Sequence, residues 1–144
     1  MITNFSTYTG LDLSDIRVLV VDDTPINVLL IQKMLGRFKC EIDTAHSGEQ
    51  ALELIERSID DVRSYDLVLL DIKMPGMDGY EVLEHLAASQ KMSSIPVIVL
   101  SGLATNDNIA QAQRLGAVDY IQKPILMENL YDTVLKHLPV PVAS

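Results

Sequence analysis

Three acidic residues and one lysine stand where apolar runs end. Arg17-Val-Leu-Val-Val-Asp22 is a continuous apolar run closing on Asp22 and Asp23, and Asp66-Leu-Val-Leu-Leu-Asp71 repeats the theme with Asp71. Pro96-Val-Ile-Val-Leu-Ser101 ends in a hydroxyl, and the short run Val118 to Ile121 is followed at once by Lys123-Pro124. Carboxylates gathered in one crevice repel each other and need cations. Lys123 is one candidate and a hard divalent metal is the other. Magnesium prefers oxygen ligands in octahedral geometry and keeps several waters, so one or two carboxylates and a backbone carbonyl suffice. A carboxylate can attack phosphorus and become an acyl phosphate. Phosphoryl transfer depends on positioning and on neutralising the equatorial oxygens, work suited to a metal ion and a lysine. The Ser101 hydroxyl can hydrogen-bond the phosphoryl group once it has arrived.

The elements that must position these groups are legible as a rhythm. Strand-length apolar runs alternate with helical patterns five times. Helices are expected over Pro25 to Phe38, Gly48 to Ile59, Gly79 to Ser89, Asn106 to Leu115 and Leu126 to Leu138. Strands are expected over Arg17 to Asp22, Cys40 to Ala45, Asp66 to Asp71, Pro96 to Ser101 and Val118 to Ile121. Pro25 suits a first helical position with Thr24 as N-cap, and Pro139 and Pro141 end the last helix. Strands without polar alternation are buried on both faces, as in a parallel sheet covered by helices. Strand–helix alternation with right-handed crossovers gives a doubly wound α/β sandwich. In such sheets the functional crevice lies beyond the carboxyl ends of the strands, where the acids and Lys123 fall.

Composition narrows the function. The chain has 144 residues, of which 48% are hydrophobic, which fits one packed domain with short tails. With 20 Asp plus Glu against 11 Lys plus Arg, the net charge of −9 disfavours direct binding of DNA, RNA or anionic membranes. No stretch approaches a membrane span, and Met1 to Gly10 lacks the basic start and apolar run of a secretion signal. Cys40 is the single cysteine, so there is no intrachain disulfide; it reads as a small buried apolar residue. The cytoplasm is the expected location.

These residues resemble the receiver domain of two-component response regulators. The resemblance runs from about Ile16 to Leu138 and rests on Asp22-Asp23, Asp71 with Met74-Pro75-Gly76-Met77-Asp78-Gly79, Ser101 and Lys123-Pro124, in the family's order and approximate spacing. It implies a five-stranded flavodoxin-like sheet of order 2-1-3-4-5 with five helices, flanked by tails at 1–15 and 139–144. It implies Asp71 as phosphoacceptor, with magnesium or manganese held directly by Asp23, largely through water by Asp22, and by Asp71 and the backbone carbonyl of Lys73. Lys123 would pair with Asp71 or the phosphoryl group, and the Lys123–Pro124 bond would be cis. Ser101 would be the switch hydroxyl and Tyr120 the aromatic that follows it. Lys73 and Leu103 would flank the incoming water. The phosphodonor would be a sensor histidine kinase or a histidine phosphotransfer protein, and output would pass to a protein partner through the fourth helix, fifth strand and fifth helix. The chain would then be a signalling module rather than a turnover enzyme.

Other readings fit less well. A haloacid-dehalogenase-type phosphatase would carry a second aspartate two positions after the nucleophile, where Lys73 stands. A flavodoxin-like FMN binder needs phosphate donors in its first loop, where Asp22 and Asp23 would repel that group. His85 reads as a surface residue, and neither His46 nor His137 has sequence partners at zinc spacing. The stretch Ile59 to Tyr65 is longer than usual for the family. Met1 and the residues after it read as a natural N-terminus, whereas the C-terminal end is open between a stand-alone receiver and part of a longer product.

Overall fold

The computed structural model describes residues 11–103 and 105–138; the tail residues 1–10 and 139–144, with Pro139 and Pro141, lie outside the described residues. In chain order the elements are β1 (Arg17–Val21), α1 (Pro25–Gly36), β2 (Glu41–Ala45), α2 (Gly48–Asp60), β3 (Leu67–Asp71), α3 (Gly79–Ala87), β4 (Val97–Ser101), α4 (Asn106–Arg114), β5 (Asp119–Gln122) and α5 (Met127–Lys136). All neighbouring strands pair in parallel, in the order β2-β1-β3-β4-β5. The five-stranded doubly wound sheet expected from the alternation is present.

Alternate residues of the central strands feed two cores. Val18 and Val20 of β1, Leu67 and Leu69 of β3, and Ile98 and Leu100 of β4 pack with α1 (Val28, Ile31, Leu35) and α5 (Leu130, Tyr131, Val134). Their neighbours Leu19, Val21, Val68, Leu70, Val97 and Val99 pack instead with Ala51 and Ile55 of α2, Val82 and Leu83 of α3, and Ala112 of α4. Burial on both faces explains why these strands read as unbroken apolar runs. Phe38 and Tyr131 meet edge to face at 4.8 Å, a geometry aromatic rings favour. Leu13, ahead of β1, is already core, and its N–H donates to the Phe38 carbonyl at 2.8 Å. Cys40 is buried, and its thiol donates to the Leu35 carbonyl at 3.4 Å.

Helix ends differ from the sequence expectation by one or two residues. Phe38 and Leu138 lie beyond α1 and α5 but are buried, so their apolar spacing extended the apparent helical pattern into the turn. Thr24 is the N-cap of α1, yet its side chain caps nothing. Its N–H instead donates to Asp22 Oδ1 at 2.9 Å. Ser47, Asp78 and Thr105 cap α2, α3 and α4 through their side chains. The long segment before β3 is anchored at the sheet edge. Tyr65 donates to Asp43 Oδ2 at 2.7 Å, which also takes Arg17 Nη2 at 2.9 Å, and the Arg17 guanidinium lies 4.5 Å from the Tyr65 ring centroid. Among the described residues no helix is long and apolar enough to cross a membrane.

Candidate functional site

The topology delivers the charged groups to one rim. β1 and β3 are adjacent and parallel, with Val21 opposite Leu70, so Asp22 and Asp71 leave the sheet side by side. Asp22, Asp23 and Asp71 each present a carboxylate oxygen, all within 4.8 Å of one another. Asp22 is fully buried and Asp71 is 3% exposed. Lys123, from the turn after β5, reaches across the sheet end and donates to Asp71 Oδ1 at 2.9 Å and to Asp22 Oδ2 at 3.1 Å. The Lys123–Pro124 peptide bond is cis.

Asp22 is held more firmly than its sequence suggested. Beside Lys123 it accepts the Thr24 N–H on Oδ1 and the Asn27 side-chain amide on Oδ2, the latter at 3.2 Å. Asn27 carried no sequence signal of a role, because a polar residue in the first helical turn is unremarkable. Burial pushes the Asp71 carboxyl above the ordinary carboxylate range; the Asp22 and Asp23 charges push the same way, against the hydrogen bond and charge of Lys123. Burial draws the Lys123 ammonium down, but the hydrogen bond and charge of Asp71, joined by Asp22, outweigh it and leave the group raised. Two buried carboxylates therefore share one lysine, with a third acid beside them and, among the described residues, no second cation paired with them.

The loop after β3 folds tightly back. Gly79 N–H donates to the Ile72 carbonyl at 2.9 Å, and a Cβ on Gly79 would stand 2.5 Å from the Asp71 carbonyl oxygen. Lys73 is exposed in this loop, two positions past Asp71. Ser101 is 6% exposed at the end of β4, and its Oγ accepts the Leu103 N–H at 3.1 Å. Tyr120 is half-buried on β5 and donates its hydroxyl to the Leu103 carbonyl at 2.6 Å. Asn108 Nδ2 donates to that same carbonyl at 3.1 Å. This shared carbonyl was invisible in the sequence.

His85 is exposed, matching its surface reading. His137 does have a carboxylate partner, Asp119 Oδ2 at 2.8 Å. Spacing along the chain could not show it, because the pair joins the start of β5 to the end of α5.

A parallel sheet with polar groups converging beyond its strand ends defines a switch-point site of the doubly wound class. Residues 18–135 match the family model described as the response regulator receiver domain. The chain is 37% identical over 126 residues to hybrid signal transduction histidine kinase L of Dictyostelium discoideum, covering 84% of this chain and 7% of that protein. It is 39% identical over 127 residues to a Vibrio cholerae protein named as a probable cyclic di-GMP phosphodiesterase, covering 88% of this chain and 27% of that one. The solved CheY-like receiver domain protein of Methanospirillum hungatei superposes with a TM-score of 0.74 at 27% identity, covering 84% of this chain and 91% of that one. The chain belongs to the response regulator receiver domain family of two-component signalling. It spans only a small part of the two curated relatives, each a much longer protein.

Proposed function

We propose that Asp71 accepts a phosphoryl group from a phosphohistidine on a sensor histidine kinase or histidine phosphotransfer protein. The observation that supports this best is the lysine shared by Asp71 and Asp22, with Asp23 alongside. A carboxylate oxygen of Asp71 attacks phosphorus in line, the phosphorus–nitrogen bond of the donor breaks, and the leaving imidazole keeps the electron pair. Lys123, already at hydrogen-bond distance from Asp71 Oδ1, follows the charge onto the phosphoryl oxygens.

The donor set fits a hard divalent cation. It consists of carboxylate oxygens, two of the three acids are buried, and their charge exceeds what Lys123 supplies. Asp23 and Asp71 would hold magnesium or manganese directly, Asp22 through water, and the Lys73 carbonyl would complete the protein's share. When bound, the ion neutralises the carboxylates and the transferred phosphoryl oxygens. Ser101 then donates to the phosphoryl group, and Tyr120 follows the loop that Ser101 holds. The output surface is the face of α4, β5 and α5, read by a protein partner. In this reading the domain is a cytoplasmic switch whose only chemistry is on its own Asp71.

Incubation with magnesium and acetyl phosphate, followed by intact mass measurement, tests the assignment. Wild type gains one phosphoryl group and Asp71→Asn gains none. A wild type that stays unlabelled, or an Asp71→Asn variant labelled equally, ends the proposal.

A further inference from the structure

The donors that meet the buried Asp22 carboxylate differ in kind. The Thr24 N–H goes to Oδ1, while the Asn27 side-chain amide and the Lys123 ammonium both go to Oδ2, at 3.2 Å and 3.1 Å. Lys123 also serves Asp71, at 2.9 Å. An ammonium on a flexible four-carbon stem is a rotatable point charge, which compensates an acid without aiming it. The Asn27 amide is planar, short and mounted on the first turn of α1, so it fixes the direction of the oxygen it meets.

Asn27 is not placed there to favour the helix. Asparagine is a poor helix former, because its side chain competes for backbone groups. Its own N–H is already taken by the Thr24 carbonyl at 3.1 Å, and the Thr24 N–H is taken by Asp22. The start of α1 therefore asks nothing of this side chain. It is half-buried and turns back to Asp22, which is fully buried. A buried carboxylate depends on every fixed donor it has, because water cannot replace a lost one.

We infer that Asn27 is a positioning residue for cation capture, setting the Asp22 carboxylate so that it faces the point where the oxygens of Asp22, Asp23 and Asp71 converge. This rests on the reading in which the three acids hold a divalent ion, and concerns which neutral group prepares them for it. Asn27 brings no charge of its own, so it orients an acid without competing with the ion. Without it, Oδ2 keeps only the lysine that Asp71 also claims, and the Asp22 carboxylate is free to follow Lys123 away from the convergence. Groups that orient the acids around a metal typically change its affinity by about ten- to a hundredfold.

Magnesium is titrated into the full chain with no phosphodonor present, read as backbone amide shifts at Asp23 and Ile72, which follow weak binding as well as tight. Asn27→Ala and Asn27→Leu both raise the Kd about tenfold; the leucine keeps the bulk and removes the donor. Alanine is the better helix former, so α1 propensity alone would not weaken binding. On an Asp22→Asn background the Asn27 effect shrinks to within about twofold, because the two side chains act as one unit, whereas a purely structural role would leave it at full size. Gln32→Ala, later in the same helix, keeps the wild-type Kd. A wild type that takes up no magnesium, or an Asp23→Asn variant that binds it equally well, sinks the cation reading and this inference with it. With wild-type binding in hand, a Kd within about twofold of wild type in both Asn27 variants, tighter binding, or an undiminished effect beside Asp22→Asn overturns the inference alone. Circular dichroism accompanies each titration, and weaker binding that comes with lost helix signal in both Asn27 variants also overturns it.

Discussion

At Asp71 the molecule tolerates a buried charge that the fold disfavours. Burial, then the neighbouring acids, hold its carboxyl above the ordinary range. A group whose folded-state pKa is raised is favoured in its protonated form, so the fold is relatively stable below the unfolded value and loses that stability as pH rises through the folded value. Without divalent ions, Asp71→Asn is therefore expected to be more stable than wild type at pH 7.5, by about 1 kcal/mol, with the gap closing near pH 4. Urea denaturation at the two pH values checks it, and equal stability at pH 7.5 would refute it. Lys123→Met should move the other way. It strands Asp22 and Asp71 in a buried site without their shared ammonium, at a cost of about 3 kcal/mol, and adding Asp71→Asn should restore part of the loss. If Lys123→Met unfolds at the wild-type midpoint, the lysine is not what makes the acid pair tolerable.

At the scale of elements, the site depends on how closely the loop after β3 returns to the strand. Gly79 opens α3 with its backbone pressed on the end of β3, where an added Cβ would also come within 2.8 Å of Ile72 Cα. Gly79→Ala must displace the backbone that carries Asp71, so a loss of about 2 kcal/mol is expected. Slower labelling by acetyl phosphate should accompany it. A variant with the wild-type midpoint and labelling rate would show that the strand end yields freely. The elements themselves were largely legible, since apolar runs ending in acid need no partner to be recognised. Helix ends were less so, because Phe38 and Leu138 stay buried after the helix has stopped. The ties between remote positions could not be read at all. Arg17, Asp43 and Tyr65 meet only because β1 and β2 pair, and Asp119 finds His137 only once α5 packs back. The Asn27–Asp22 contact is hidden for another reason. It spans five positions, but its meaning depends on Lys123 arriving from the turn after β5.

At the scale of the whole chain, a net charge of −9 means that any salt will relieve some self-repulsion. A specific divalent site must show itself above that background. Magnesium at a hundredfold excess over its Kd should add ~2.7 kcal/mol of stability, beyond sodium chloride at equal ionic strength, and Asp23→Asn should abolish most of the excess. Identical melting curves in the two salts would remove the ion from the account. The two-sided core carries one more implication. In β1 and β3 the residues that face α1 and α5 are Val18, Val20, Leu67 and Leu69, and Asp22 and Asp71 continue those same series by steps of two. Strand parity therefore sorts the oily interior and aims the acids with a single setting. Loss or gain of one codon within either strand would exchange the two interiors and turn the carboxylate away from Lys123 at once, whereas the connecting loops carry no such counting constraint. Length variation in descendants of this chain should accordingly collect between the elements and spare the middle strands.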